Sequence, residues 1–143
     1  MALSGKIVLI FGGSSGMGKS AAKFVLKEGG QPWIIGRDEA KLEIAKQEIS
    51  KEDPTLVRTS ALDCMDEASV KLFFESIAPG SINHIVCTLG PSAGCSSIEG
   101  EAGILGLRRQ LDLKFFGQMI PASYGAEKVQ SNSLFMQSVL VLH

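Results

Sequence analysis

Lys6-Ile-Val-Leu-Ile-Phe-Gly-Gly-Ser-Ser-Gly-Met-Gly-Lys-Ser20 is the stretch whose reading decides the fold. Ile7 to Phe11 are continuously apolar, which predicts a parallel strand buried on both faces. Gly12, Gly13, Gly16 and Gly18 then let the backbone turn sharply and approach a ligand closely. From Ser20 an apolar stripe of Ala21, Ala22, Phe24 and Val25 predicts an amphipathic helix running to about Gly29. A helix that starts after such a turn presents free N–H groups and the positive end of its dipole to a phosphate. One tight turn needs fewer than four glycines, so this strand-turn-helix context reads as a nucleotide site.

Two phosphate-binding patterns fit the same letters. Gly13-Ser-Ser-Gly-Met-Gly18-Lys19-Ser20 satisfies G-x-x-x-x-G-K-[ST], the P-loop of NTP-binding proteins. There Lys19 would reach the β- and γ-phosphates and Ser20 would hold magnesium. Alternatively, Gly12-x-x-x-Gly16-x-Gly18 suits the pyrophosphate of a dinucleotide. The chain beyond the turn has to decide.

At 143 residues the chain is long enough for one domain, residues 1–143, with a single sizeable core. Apolar residues make up 45% and charged residues 20%, a soluble globular composition. A net charge of −1 gives no electrostatic case for nucleic acid or an anionic membrane. Cys64, Cys87 and Cys95 are odd in number and scattered, which fits a reducing, cytoplasmic setting. His84 and His143 have no cluster of ligand partners, so no metal site is expected. The N-terminal apolar run is too short to span a bilayer and flows directly into the glycine turn, so neither signal peptide nor membrane helix is expected.

Strand and helix signals alternate to the end, with no internal repeat or linker. Gly29-Gly30 stops the first helix. Pro32 to Gly36 is a short buried strand, and Asp38 caps a helix over about Glu39 to Lys51 with apolar positions Leu42, Ile44, Ala45 and Ile49. Asp53-Pro54 breaks the chain, and Thr55 to Leu62 is the third strand. Asp66 caps a helix with a Val70, Phe73, Phe74, Ile77 stripe that Pro79-Gly80 ends. Ile82 to Leu89 is the fourth strand and Gly90 to Ser97 a loop. A long helix covers about Ile104 to Val129 with a bend at Pro121. Ser133 to Leu142 is a last strand. The expected fold is α/β: a three-layer, doubly wound Rossmann-type parallel sheet of about five strands in order 3-2-1-4-5, with the ligand at the carboxyl ends of strands one and four.

Along nearly its whole length the chain resembles the short-chain dehydrogenase/reductase family. Gly12-x-x-x-Gly16-x-Gly18 is similar to the family's cofactor turn. Trp33-Ile-Ile-Gly-Arg-Asp-Glu-Ala-Lys-Leu42 looks like its second strand and following turn. Ala61-Leu-Asp-Cys-Met-Asp-Glu-Ala-Ser-Val70 is similar to the segment whose first Asp meets the adenine. Ile85-Val-Cys-Thr-Leu-Gly90 stands where the family's fourth strand normally ends Asn-Ala-Gly. Leu111-Asp-Leu-Lys-Phe-Phe-Gly117 resembles its next long helix. A P-loop protein would instead want an apolar strand ending in a magnesium-binding Asp. Arg58, Thr59 and Ser60 interrupt the run to Asp63, and the fourth strand ends in Leu89-Gly90.

The resemblance implies a dinucleotide cofactor held by Gly12, Ser14, Ser15, Gly16, Met17 and Gly18, by Asp63 and Cys64 at the adenine, and by Leu89 and Gly90 along the wall. An NAD site usually has an acid at the end of strand two. Gly36 occupies that place and Arg37 follows. A guanidinium there can pair bidentately with a 2′-phosphate, with Ser14 and Ser15 as further donors, so NADP(H) is expected over NAD(H). Arg37 could instead be a solvated turn residue paired with Asp38 or Glu39, and Asp63 could merely cap a turn.

The implied activity is hydride transfer between nicotinamide and a small carbonyl or alcohol. A tyrosine serves as acid or base, a lysine four residues later lowers its pKa, and a serine polarises the substrate oxygen. Tyr124-Gly-Ala-Glu-Lys128 matches Y-x-x-x-K in letters but reads as a decoy. The segment before it is helical, and Phe116, Ile120 and Tyr124 share a face, which makes Tyr124 a core or interface aromatic. The better alignment puts Ser138 in the serine's place and Asp112 where the family often has an asparagine. The expected tyrosine and lysine would then fall past His143. Three readings result: an NADP(H)-dependent short-chain oxidoreductase, in a truncated form with weak or no turnover; a dinucleotide-binding module without catalysis; or a P-loop NTPase. Val139 to Leu142 would form an apolar edge that a second copy or a partner covers.

Overall fold

Five strands line up in parallel: β1 (Ile7–Phe11), β2 (Gln31–Gly36), β3 (Arg58–Ala61), β4 (His84–Cys87) and the three-residue β5 (Phe135–Gln137). This is a computed structural model, and it describes residues 1–90 and 100–130 and the backbone of 135–137. The sheet order is β3-β2-β1-β4-β5, as the alternation of elements predicts. β1 sits at the centre, with Leu9 opposite Trp33 on one side and Ile85 on the other. β5 adds a short edge along β4 by pairing Ile85 with Phe135.

The unbroken apolar run of β1 is a consequence of this position. Successive side chains point to opposite faces. Val8 and Ile10 enter one core layer, with Ala22 and Val25 of α1 (Gly16–Lys27) and Leu42, Ala45 and Ile49 of α2 (Glu39–Ile49). Leu9 and Phe11 enter the other, with Val70 and Phe74 of α3 (Glu67–Glu75) and with Ile120 and Tyr124 of α5 (Gly117–Gly125). Burying each of these large side chains contributes roughly 1.5–3 kcal/mol. At the amino end of the sheet, the buried Asn83 carboxamide oxygen accepts the Ile7 N–H at 2.8 Å.

Helix ends obey local chemistry. Asp38 and Asp66 accept N–H groups of Lys41 and Ser69 and so cap α2 and α3. α1 closes in a Schellman turn: Gly29, at φ 79°, bonds Leu26, and Gly30 bonds Val25.

Several expectations need correction. α1 starts at Gly16, not Ser20, so the glycine turn supplies its first turn. Phe24 and Ile44 are each 60% exposed and lie off the apolar faces; Gly18 and Leu42 take the buried positions in their helices. Thr55 and Leu56 form a 3-10 turn with Pro54, because the Asp53 carboxylate accepts the Thr55 N–H, and β3 starts only at Arg58. α3 ends at Glu75, before Pro79, and β4 is confined to His84–Cys87, with Ile82 bridging Val129. The long helical run begins at Gly100 as α4 (Gly100–Leu111). Its departure from α geometry is a wide π turn at Asp112–Phe116 ahead of α5, while Pro121 sits inside α5. That turn rotates the residues before Gly117 against those of α5. Phe116 is therefore 54% exposed, edge-on to Phe115, and does not share the core face of Ile120 and Tyr124. The expected loop from Pro91 and the strand ends beyond Gln137 lie outside the described residues.

Candidate functional site

The carboxyl ends of β1 and β4 meet at the glycine turn. The N–H groups of Gly12 and Gly13 both point at the Ile35 carbonyl, at 2.9 and 3.3 Å, which ties the turn to β2. Gly12 has φ 81°, and Gly16 has φ 50°. Gly18 is required by space: a Cβ built on it would lie 2.2 Å from the Gly12 carbonyl oxygen and 2.6 Å from Thr88 Oγ1. Thr88 closes this junction from β4, donating its N–H and its hydroxyl to the Phe11 carbonyl at 2.9 and 3.0 Å.

The α1 N-terminus so positioned is open to an anion. Ser15 is the N-cap in extended conformation, yet its hydroxyl makes no capping bond, and the first turn holds no acidic residue. Ser15, Gly16 and Met17 are exposed, and Ser14 is half-buried with its hydroxyl 3.5 Å from where a Gly36 side chain would begin. A Cβ on Gly16 would meet nothing within 4 Å. These features fit the pyrophosphate of a dinucleotide: close backbone approach, free donors and no competing carboxylate.

Arg37 follows β2 and is exposed; among the described residues it forms no salt bridge, with Asp38, Glu39 or any other acid. Cys64 is close enough to feel both Arg37 and Asp63. Its thiol is pushed up to about 12, first by burial and then by Asp63, with Arg37 opposing. Gly36 pairs with Ala61 and its carbonyl accepts the Leu62 N–H at 2.8 Å, so Arg37, Asp63 and Cys64 all follow the paired carboxyl ends of β2 and β3. Asp63 uses one carboxylate oxygen to accept the Met65 N–H at 2.9 Å, which is the turn-capping role. Burial also pushes Cys87 up to about 12, so neither buried thiol supplies a thiolate.

Leu89 and Gly90 form the β4 side. The residues that hold them give no signal in the sequence. Gln118 of α5 is fully buried and donates to the Leu89 carbonyl at 3.3 Å, while its own amide oxygen has no partner among the described residues. Lys114 sits over Gly90, within 3.1 Å of where its side chain would start. The docking of α5 against β4 places Gln118, and the π turn ahead of α5 carries Lys114.

The two groups a triphosphate would need are engaged elsewhere. Lys19 pairs with Glu48 of α2 at 2.5 Å, which holds that carboxyl below its usual range. The Ser20 hydroxyl donates to the Gly16 carbonyl at 3.2 Å. Lys19→Ala is therefore expected to leave dinucleotide affinity within about twofold, as for loss of a surface pair remote from the ligand. Titration followed by NADPH fluorescence checks this, and a tenfold loss would return Lys19 to the phosphates.

The Tyr124-Lys128 pair does not converge on the crevice. The Tyr124 hydroxyl donates to Glu67 at 2.6 Å, and that carboxylate raises its pKa, the opposite of what proton transfer near neutrality needs. The Lys128 carbonyl accepts the Ile82 N–H at 3.1 Å, which places its backbone beside the amino end of β4, away from the glycine turn. Ser138 lies outside the described residues. Among the described residues there is no cluster of metal-binding side chains, and no helix is long and apolar enough to cross a membrane.

Comparison with known proteins agrees in fold and order. A family model described as short chain dehydrogenase matches residues 6–101. The human protein named Dehydrogenase/reductase SDR family member 12 is 28% identical over 119 residues, 82% of this chain and 37% of that one. Among solved structures, the MalC Reductase/Diels-Alderase from Malbranchea aurantiaca superposes with TM-score 0.74 at 26% identity, over 90% of this chain and 53% of its own. A serine dehydrogenase in its closed form complexed with NADP+ has TM-score 0.67 at 20% identity, over 82% and 46%, a likeness of fold. The chain thus spans between 37% and 53% of these relatives.

Proposed function

Since this chain belongs to the short chain dehydrogenase family, we propose that it holds NADP(H) in the crevice at the ends of β1 and β4, for hydride transfer involving a small carbonyl or alcohol. The observation that carries this reading is the contact of Gly18 on the Gly12 carbonyl, which places an uncapped helix N-terminus at the crevice. Gly12, Ser14, Ser15, Gly16, Met17 and Gly18 hold the pyrophosphate. Asp63 and the Cys64 backbone meet the adenine, and Leu89 and Gly90 line the nicotinamide side. The preference for the 2′-phosphate rests on Arg37, which has no salt bridge among the described residues, and on the nearby Ser14 hydroxyl, with no acid at Gly36. Bound there, the cofactor would supply the hydride; the chain's residues bind it, orient it and exclude water.

A second reading, a dinucleotide-binding module without catalysis, is favoured by the engagement of Tyr124 with Glu67. NADPH oxidation across a panel of small carbonyls separates the two. Turnover supports the oxidoreductase, and tight NADPH binding with no turnover supports the module. Tyr124→Phe is expected to leave cofactor affinity and any rate unchanged; lost turnover in that variant would place the phenol in the machinery. A reducing cytoplasmic setting, and a second copy or partner over the outer edge of β5, complete the proposal.

A further inference from the structure

At the opposite end of the strands from the glycine turn lies a second concavity. It is a half-open hollow of about 300 Å³ between the amino ends of the strands and the C-terminal end of α3. Ile7, Ile77 and Ile82 supply apolar lining, and Trp33 forms a wall. The indole is fixed: its N–H donates to Ser60 at 2.9 Å, and Phe73 meets its ring edge-on at 5.3 Å. Over its face lies the Arg58 guanidinium, 3.8 Å from the ring centroid.

Arg58 is exposed, and among the described residues it forms no salt bridge. Stacking satisfies the face of a guanidinium and leaves its N–H edges as donors. The cavity's serine hydroxyls add little competition, since Ser76 donates to Phe73 and Ser81 to Ala78. An apolar slot with one pre-oriented cationic fork suits an amphiphilic anion.

We propose that this cavity binds a small carboxylic acid with an apolar body, its carboxylate on Arg58 and its hydrocarbon against Trp33 and the isoleucines. Nothing in this site is needed for the dinucleotide crevice, so the two proposals stand or fall separately.

Trp33 is the only tryptophan in the chain, so its emission reports the cavity directly. The probe is cyclohexanecarboxylate, which does not absorb with the indole; cyclohexylmethanol is its uncharged counterpart. A saturable change in emission is expected, with a midpoint on the order of 1 mM for so small a ligand. The alcohol should show no saturation over that range. Arg58→Gln should weaken the acid about tenfold or more, as for loss of a charge-assisted pair. If that variant does not fold, Arg58→Lys, which keeps the charge but loses the fork, should weaken it severalfold. Equal binding of acid and alcohol, an unchanged midpoint in the variant, or no saturable change at all would overturn the proposal, leaving Arg58 as a cover for the indole.

Discussion

Gly18→Ala is expected to weaken NADPH binding by about a hundredfold or more, the scale of losing one or two hydrogen bonds from the helix's first turn to a charged phosphate at about 1.5–3 kcal/mol each. The new methyl would meet the Gly12 carbonyl oxygen at 2.2 Å and Thr88 Oγ1 at 2.6 Å. Neither neighbour yields easily. Gly12 is tied to β2 through Ile35, and Thr88 is tied to Phe11. The helix must therefore back away from β1 and carry the N–H groups of its first turn with it. Overpacking of this kind costs about 1–3 kcal/mol, offset in part by roughly 1 kcal/mol of better helix propensity. Stability should thus fall by no more than about 2 kcal/mol, less than the roughly 2.7 kcal/mol that a hundredfold loss of affinity represents. NADPH fluorescence titration beside a urea midpoint separates the two. A variant that kept its affinity would show that the close junction is packing alone.

Arg37→Ala is expected to weaken NADPH about ten- to a hundredfold while leaving NADH nearly untouched. A charge-assisted contact typically contributes about 1.5–3 kcal/mol, and 1.4 kcal/mol is a factor of ten. Arg37 has no salt bridge to lose among the described residues, so its removal should carry little folding penalty. The selectivity is the informative quantity. Equal losses for both cofactors would mean that Arg37 acts on the shared part of the molecule, or on the turn itself.

The parts of this fold that are legible in the sequence are those in which local chemistry and tertiary position agree. Ile7–Phe11 is apolar because β1 is buried on both faces, and Asp38 and Asp66 are caps wherever the helices pack. The 3-10 turn at Pro54–Leu56 reads as strand because Thr55 and Leu56 suit a strand, and only the Asp53 carboxylate commits them otherwise. Apolar character alone points Phe24 and Ile44 inward, but each lies off the buried stripe of its helix. The π turn at Asp112–Phe116 carries no composition signal, so the letters suggest a bend at Pro121 instead.

The candidate site divides in the same way. Gly12, Gly16 and Gly18 are recognisable because each meets a backbone demand that favours glycine, either a positive φ or a contact too close for a methyl. Thr88 gains its place only when β4 pairs with β1, Gln118 only when α5 meets the end of β4, and Lys114 only through the π turn ahead of α5. Their spacing in sequence announces nothing. Y-x-x-x-K is legible as letters, yet the partners of those letters are Glu67 and the amino end of β4.

The most direct test of dinucleotide binding at the glycine turn is a backbone amide NMR titration of this chain with NADP+ and, separately, with ATP–magnesium. NADP+ is expected to shift the amides of Ser14 to Gly18 together with those of Arg37, Cys64 and Gly90. ATP–magnesium should act weakly, and at the glycine turn alone. Tight ATP–magnesium binding that shifts Lys19 and Ser20, with Arg37 and Cys64 silent toward NADP+, would contradict a dinucleotide site.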